Sequence, residues 1–439
     1  MDAVNSPVDV FRLLDQRRMS PVQWLVVCAC GLALFMDGYD IQVMALAVPS
    51  VAHEWSEDPS RFGLALSAAL IGLGLGAALL APLGDRFGRR TLVMTALVIA
   101  GAATLATATA DSAPQFVLWR LLTGIGLGAG IPNCNAWTSE YAPARSRARL
   151  LVLMNAAVGI GAFCAGLIAP TVLASWGWRG TFVIGGCVPL LLAAIIFFSA
   201  PESLKFLLSR RPRDPRIHAT LARLAPELHD RPLALPELTA ELPRASLAEL
   251  VGPIYRRRTL VLWTVVFVNL FTLYFLISWL PILLQSAGWP LDAAIRGAVL
   301  IQAGGVIGGI VLAFFLDRGH TLPALLTAFV LAAGALALFP LAPSGVSWIA
   351  MLCVIGAGIN GSQLALNALS TAYYPPAIKA TGMSWIGVIG AIGSIIAPLA
   401  GGWIIGQGIA AVNILAMMSL PAALCAAGVL LMRREWQMG

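Results

Sequence analysis

The sequence predicts an all-α membrane protein: twelve transmembrane helices in two pseudo-symmetric six-helix bundles. Composition, the number of long apolar runs and an internal repeat carry that reading. The 439 residues are 59% hydrophobic and 11% charged, with a mean hydropathy of +0.84. A soluble domain carries about 25% charged residues. Apolar spans lie near 22–48, 62–83, 91–110, 115–139, 150–174 and 180–199. Six more follow a polar stretch, near 260–285, 293–316, 321–342, 346–371, 381–407 and 410–432. About 20 residues at ~1.5 Å rise cross the hydrocarbon, so each run qualifies as a span.

The repeat has an offset of 232 residues (317 − 85). It lays Asp85-Arg86, ending the second span, over Asp317-Arg318, ending the eighth. The same offset lays Asn135-Ala136-Trp137-Thr138-Ser139-Glu140-Tyr141-Ala142-Pro143 over Asn367-Ala368-Leu369-Ser370-Thr371-Ala372-Tyr373-Tyr374-Pro375, and Arg147-Ala148 over Lys379-Ala380. Six spans per half in one orientation make a parallel repeat, the arrangement that places a substrate site at mid-membrane between halves. Asp37 falls on Asn269, so an acidic function belongs to the first half alone.

Orientation follows from the basic residues. Of 28 Lys and Arg, all but Arg61, Arg120, Arg179 and Arg296 fall in the tails or the even-to-odd loops, which places both termini in the cytoplasm. This asymmetry accounts for the pI near 9.3 without a nucleic-acid partner. Residues 1–20 are polar and lack a cleavage site after a short apolar core, so the first span reads as a retained helix. Three domains follow: a bundle over 1–200, a cytoplasmic linker over 201–258 and a bundle over 259–439. Within the linker, 202–209 and 216–229 read as short amphipathic surface helices.

The seven cysteines all lie within spans, an odd number that predicts no disulfide framework. The four histidines are scattered, with no zinc spacing, no phosphate-cradling loop after a strand and no nucleophile elbow. No metal, cofactor or enzyme is expected.

The first span carries the informative chemistry. Phe35-Met36-Asp37-Gly38-Tyr39-Asp40-Ile41-Gln42 puts two carboxylates into an apolar run. An acidic side chain at a helix centre costs roughly 2.5–3.5 kcal/mol to insert. Asp37 and Asp40, three apart, share a helix face. That face either reaches a hydrated interface or points into a polar cavity that handles a proton or cation. Arg120 lies about five residues inside one end of the fourth span, ~8 Å deep by helix rise. It either snorkels to the surface or pairs with Asp37 or Asp40.

Gly84-Asp85-Arg86-Phe87-Gly88-Arg89-Arg90 resembles the signature loop between the second and third helices of the major facilitator superfamily, and Glu140-x-x-Pro143-x-x-x-Arg147 resembles that superfamily's motif after helix 4. With the twelve spans and the repeat, the likeness covers essentially the whole chain. Asp37-Gly38-Tyr39-Asp40 narrows it: an Asp-Gly-x-Asp in helix 1 is similar to the aromatic acid:proton symporter family, whose members import benzoate-like carboxylates in bacteria. Arg120-Leu121-Leu122-Thr123-Gly124-Ile125-Gly126-Leu127-Gly128 and Ala380-Thr381-Gly382-Met383-Ser384-Trp385 also look like that family. Three positions depart from the patterns. Ala81 stands where the loop motif commonly starts with Gly, Ala391 where helix 11 usually carries Arg, and Lys379 where Arg is usual.

The resemblance implies a proton-coupled importer of an aromatic carboxylate in the inner membrane, working by alternating access as a monomer, with lipid, substrate and proton as partners. Asp37 and Asp40 would couple the proton. Burial raises a carboxyl pKa and a nearby Arg lowers it, so proton binding can depend on anion occupancy. Cavity-lining candidates are Arg120, Tyr39, Asn133, Trp137, Asn155, Asn269, Tyr274, Trp279, Gln302, Asn360, Gln363, Asn367 and Trp385. Asp85, Arg86, Arg89, Arg90, Glu140, Arg147, Asp317 and Arg318 would form a charge latch at the cytoplasmic face. Trp176, Trp178 and Trp348, near span ends, suit an interfacial belt. Transport of another organic acid and drug export are the alternatives. Exporters often carry a Gly-Pro pair in helix 5, where this chain has Gly159, Gly161, Gly166 and a separate Pro170. A non-transporting sensor would need a folded soluble domain, and 201–258 is too rich in Pro and Arg to supply one.

Overall fold

The computed structural model describes residue 15 and residues 18–211, 213–224, 247–341 and 346–437; within these, the side chains of Asp317, Val346, Ala372, Tyr373, Pro376, Ala377, Ala380 and residues 433–437 are left aside. Every predicted span coincides with a helix. We number them α1 (Pro21–Trp55), α2 (Pro59–Phe87), α3 (Arg89–Thr107), α4 (Ala113–Tyr141), α5 (144–176), α6 (178–199), α7 (Arg256–Ser286), α8 (Leu291–Asp317), α9 (Thr321–Leu338), α10 (Val346–Tyr373), α11 (Pro376–Gly406) and α12 (Ala411–Met432). Among the described residues, ten helical segments are long and apolar enough to cross a membrane, with α5 and α6 taken as one of 56 residues. That segment breaks at Gly177, where φ of +64° and ψ of −173° suit only glycine. α4 completes the twelve; Arg120, two asparagines and its glycines dilute its hydropathy.

Local chemistry sets the helix ends. Ser20 and Gln23 exchange backbone-to-side-chain bonds of 3.3 and 2.8 Å, a capping box before α1, with Pro21 at its first position. Asp58 caps α2 by accepting from the Ser60 N–H at 2.8 Å. Pro82 withholds an N–H from the α2 ladder; the helix passes through a π turn (Gly76–Leu80) before it and a 3₁₀ turn (Ala81–Leu83) around it.

The described residues fall into two compact units, one within 1–41, 71–162 and 179–240, the other within 42–70, 163–178 and 241–439. In the first, α4 packs against α3 and α2. A Cβ on Gly72 or Gly76 would strike the Leu121 or Ile125 carbonyl, and one on Gly126 would lie 2.8 Å from the Ala96 carbonyl. In the second unit α10 packs against α8 and α9 through the residues 232 positions on: Gly304 against Cys353, Gly308 against Ala357, Gly358 against Ala328. The repeat is therefore built into the helix crossings, with glycine where backbones meet. One crossing is inverted. Gly128 of α4 makes room for Leu73, whereas the matching pair in the second half is Asn360 seated over Gly305.

Two expectations are corrected. The linker forms helices at Leu204–Arg210 and Arg216–Leu224, but Leu204, Phe206, Leu207, Ile217 and Leu221 are buried in the core of the first unit, not spread on a surface. Residues 225–229 of the second predicted linker helix lie outside the described ones. Of the three tryptophans assigned to the interfacial belt, only Trp176 is exposed. Trp178 is buried, donating to Glu54 at 2.7 Å, and Trp348 stacks on Trp289 with centroids 5.2 Å apart.

Candidate functional site

A charged cluster occupies the first unit, on α1, α4 and α6. Gly38 brings α1 against the backbone of α5, where a Cβ would collide with the Val158 carbonyl; Gly161 meets Phe35 in the same way. On this closely held stretch Asp37 and Asp40 are 4% and 6% exposed. Arg120, fully buried, donates from Nη1 to Asp40 Oδ1 at 2.8 Å and from Nη2 to Oδ2, a bidentate pair. Its guanidinium stands 5.7 Å from the Phe182 ring centroid, and Phe182 meets Phe116 edge-on. Tyr39 donates its hydroxyl to the Thr181 carbonyl at 3.0 Å. Neither Asp37 Oδ1 nor Arg120 Nε, both buried, has a hydrogen-bond partner among the described residues. Of the readings open for Arg120, pairing holds, and its partner is Asp40.

Neutral amides occupy the second unit. Asn360 donates to Gln302 Oε1 at 2.8 Å, and Gln302 donates to Gln42 Oε1 at 3.3 Å. Asn269 donates to Gln363 Oε1 at 2.8 Å and to the Ile359 carbonyl at 3.4 Å, and Gln363 donates to Asn367 at 2.9 Å. Asn360, Gln363 and Asn367 recur at helical spacing on one face of α10. In a membrane span such amides are costly without partners, and these partner one another.

A third cluster surrounds the α2–α3 turn. Arg89 binds Asp85, Asn133 at 3.1 Å and Glu140 at 3.6 Å. Asn133 also donates to the Ala81 carbonyl at 3.0 Å, so an amide predicted to line the cavity ties α4 to α2 instead. Arg90 binds the Ile196 and Phe197 carbonyls, and Glu140 accepts from Ser203. Buried Glu202 accepts from the Arg90 and Ser203 N–H groups, each at 2.9 Å, and from the Thr91 hydroxyl at 3.3 Å, capping α3. Gly88, at φ +106°, leaves room for that carboxylate.

Other predicted residues stand apart from these groups. Trp137 and Trp279 are fully buried; Trp137 packs in the first unit's core and Trp279 donates to the Pro398 carbonyl at 3.1 Å. Trp385 stacks on Trp263 with centroids 6.0 Å apart, and Tyr274 is half-buried on α7. Asn155 is exposed and donates to Asn135 at 2.8 Å. Arg86 lies over the Phe87 ring, Arg147 approaches Asp15 at 3.7 Å and Arg318 lies over Phe314. The Asp317 side chain lies outside the described ones. Sequence reasoning missed Gln42, Thr181, Phe182, Glu202 and Ser203. Glu202, acidic beside a span end, and Gln42, polar within a span, carried the detectable signals.

Among the described residues, twelve apolar helices with a buried ion pair and an amide network mark a polytopic membrane protein. The chain belongs to the Major Facilitator Superfamily, whose family model matches residues 30–398. It is 34% identical to the 4-hydroxybenzoate transporter PcaK of Pseudomonas putida over 98% of this chain and 96% of that protein. It is 33% identical to the gallate transporter of P. putida over 97% and 95%, and 27% identical to the benzoate transport protein of Acinetobacter baylyi over 98% and 94%. Among solved structures, a bacterial homologue of the human lysosomal transporter Spinster, inward-facing and occupied, matches at a TM-score of 0.70 and 20% identity, covering 95% of this chain and 98% of that one. The xylose transporter XylE from E. coli, partially occluded and inward open, matches at 0.62 and 20%, covering 92% and 97%. These structures share the fold.

Proposed function

We propose that this protein imports an aromatic carboxylate together with a proton across a bacterial inner membrane, by alternating access and as a monomer. The observation that carries the reading is the buried Asp40–Arg120 pair with Asp37 beside it, buried and lacking a partner for Oδ1. The names of the relatives, transporters of 4-hydroxybenzoate, gallate and benzoate, supply the substrate class.

A buried carboxylate without a counterion is costly, and a proton removes the charge. Asp37 is the group assigned to that proton. Arg120, neutralised by Asp40 in this arrangement, offers its charge to the substrate carboxylate whenever Asp40 gives it up, so anion arrival and proton uptake become linked. The α2–α3 cluster, with Asp85, Arg89, Arg90, Glu140 and Glu202, holds the linker against the helix ends on the cytoplasmic side and must loosen once per cycle. In this reading the division into 1–200, 201–258 and 259–439 separates two moving halves and their tether, with both termini cytoplasmic.

Proteoliposomes with an imposed pH gradient test it. Wild-type protein accumulates labelled 4-hydroxybenzoate; Asp37→Asn and Asp40→Asn lose gradient-driven accumulation. Undiminished proton-driven uptake by both variants refutes the assignment.

A further inference from the structure

The amide network of the second unit has a polarity. The Ile359 carbonyl can only accept, so Nδ2 of Asn269 must face it, as it faces Gln363 Oε1. That orientation turns Asn269 Oδ1 the other way. This oxygen is buried, on a fully buried residue, and meets no donor among the described residues. From Asn269 the chain runs through half-buried Gln363 to exposed Asn367, so it leads from the interior to an accessible face of α10.

Packing does not require these amides. At the repeat-related crossing in the first half, Gly128 lies against the Leu73 backbone, and neither residue brings a polar side chain to the contact. In the second half the small residue has moved to α8. A Cβ on Gly305 would lie 2.6 Å from Asn360 Cγ, so Gly305 is the seat that admits Asn360, which in turn holds Gln302. Likewise Asn269 occupies the position that matches Asp37. A helix seam has here been remade to carry neutral hydrogen-bonding groups where apolar ones would close it.

We infer that Asn269, held by Gln363, is a specificity-determining residue whose Oδ1 accepts a hydrogen bond from a ring hydroxyl of the substrate, so that hydroxylated aromatic acids are preferred over unsubstituted ones. The inference rests on the proposed import of aromatic carboxylates. An uncharged acceptor cannot attract the carboxylate, which would repel it; it suits an O–H donor. Donor recognition is also where discrimination is obtained most readily, because an analogue lacking the donor leaves the site's polar group unmet.

The test compares labelled 4-hydroxybenzoate with labelled benzoate in proteoliposomes. Asn269→Leu raises the ratio of their KM values (4-hydroxybenzoate over benzoate) about tenfold, the worth of one net hydrogen bond. A residue that merely ties α7 to α10 moves both KM values together, and an unchanged ratio overturns the inference. A second measurement needs no variant. 4-Fluorobenzoate is close to the hydroxyl compound in size and has no donor, so it competes with labelled 4-hydroxybenzoate for wild-type protein at least tenfold more weakly than unlabelled 4-hydroxybenzoate does; equal potency overturns the inference. If wild-type protein accumulates neither acid, the import reading itself has failed and this one falls with it.

Discussion

Asp40→Asn removes the counterion of a guanidinium that has no access to water. Arg120 is fully buried and the Asp40 side chain 8% exposed. Breaking a buried pair by deleting one partner costs about 3–5 kcal/mol, whereas replacing both partners with apolar groups is often neutral or better. The two single variants should not be equivalent. Arg120 cannot shed its proton, so Asp40→Asn strands a permanent charge. In Arg120→Met the stranded group is a carboxyl, which a proton neutralises. We therefore expect Asp40→Asn to destabilise the protein by about 3–5 kcal/mol, Arg120→Met by less, and Asp40→Asn with Arg120→Met to recover most of the loss. Buried Cys30, Cys134 and Cys425 supply the readout, because a thiol-reactive dye reaches them on unfolding, above the baseline set by exposed Cys28 and Cys187. An Asp40→Asn protein as stable as wild type, or a double variant less stable than either single one, would refute the role given to this pair.

Two further perturbations address how the site is held. Gly38→Ala forces α1 off the Val158 backbone, which cannot yield as a flexible side chain can, and should lower both melting temperature and uptake. Gly159→Ala on the facing helix, with nothing within 4 Å, should be neutral or stabilising, since Ala exceeds Gly in helix propensity by about 1 kcal/mol; equal behaviour of the two variants would contradict the crossing. Glu202→Ala removes the carboxylate that caps α3 and should cost about 1–2 kcal/mol. Limited proteolysis should then cut the 201–258 segment sooner than in wild-type protein, and an unchanged cleavage rate would show that the linker is held by its buried Leu204, Phe206 and Leu207 alone.

The twelve spans were legible because each is a long apolar run, and hydropathy is nearly independent of tertiary context. The pairing of Arg120 was half legible: depth within the span demanded a counterion, but choosing Asp40 over Asp37 depends on helix rotation. Asn133 and the tryptophans were not legible in this sense. An amide or indole in a span looks the same whether it faces a cavity, as the α10 amides are proposed to do, or ties two helices, as Asn133 ties α4 to α2 and Trp279 ties α7 to α11. Glu202 was hidden by its position in a segment read as a surface linker, although its neighbours Leu204, Phe206 and Leu207 have the apolar spacing of a buried face.

The repeat explains why the two halves can differ so much in chemistry while sharing their packing. Glycine crossings are conserved in place between α2–α4 and α8–α10, so helix positions are set by backbone contact and the residues between crossings are free to diverge. They diverge in one direction. At the positions matching Asp37, Asp40 and Arg120 the second half carries Asn269, Thr272 and Leu352, and at those matching Gln302, Asn360 and Gln363 the first half carries Leu70, Gly128 and Ile131. At these matched positions ionisable groups stand in the first half and neutral amides in the second. A single buried ion pair can be satisfied internally, as Arg120 and Asp40 show; a second set of charges in the other half would need its own partners. Amides satisfy one another without net charge, so in the proposed cycle the second half recognises an uncharged substituent and the proton chemistry stays with the first.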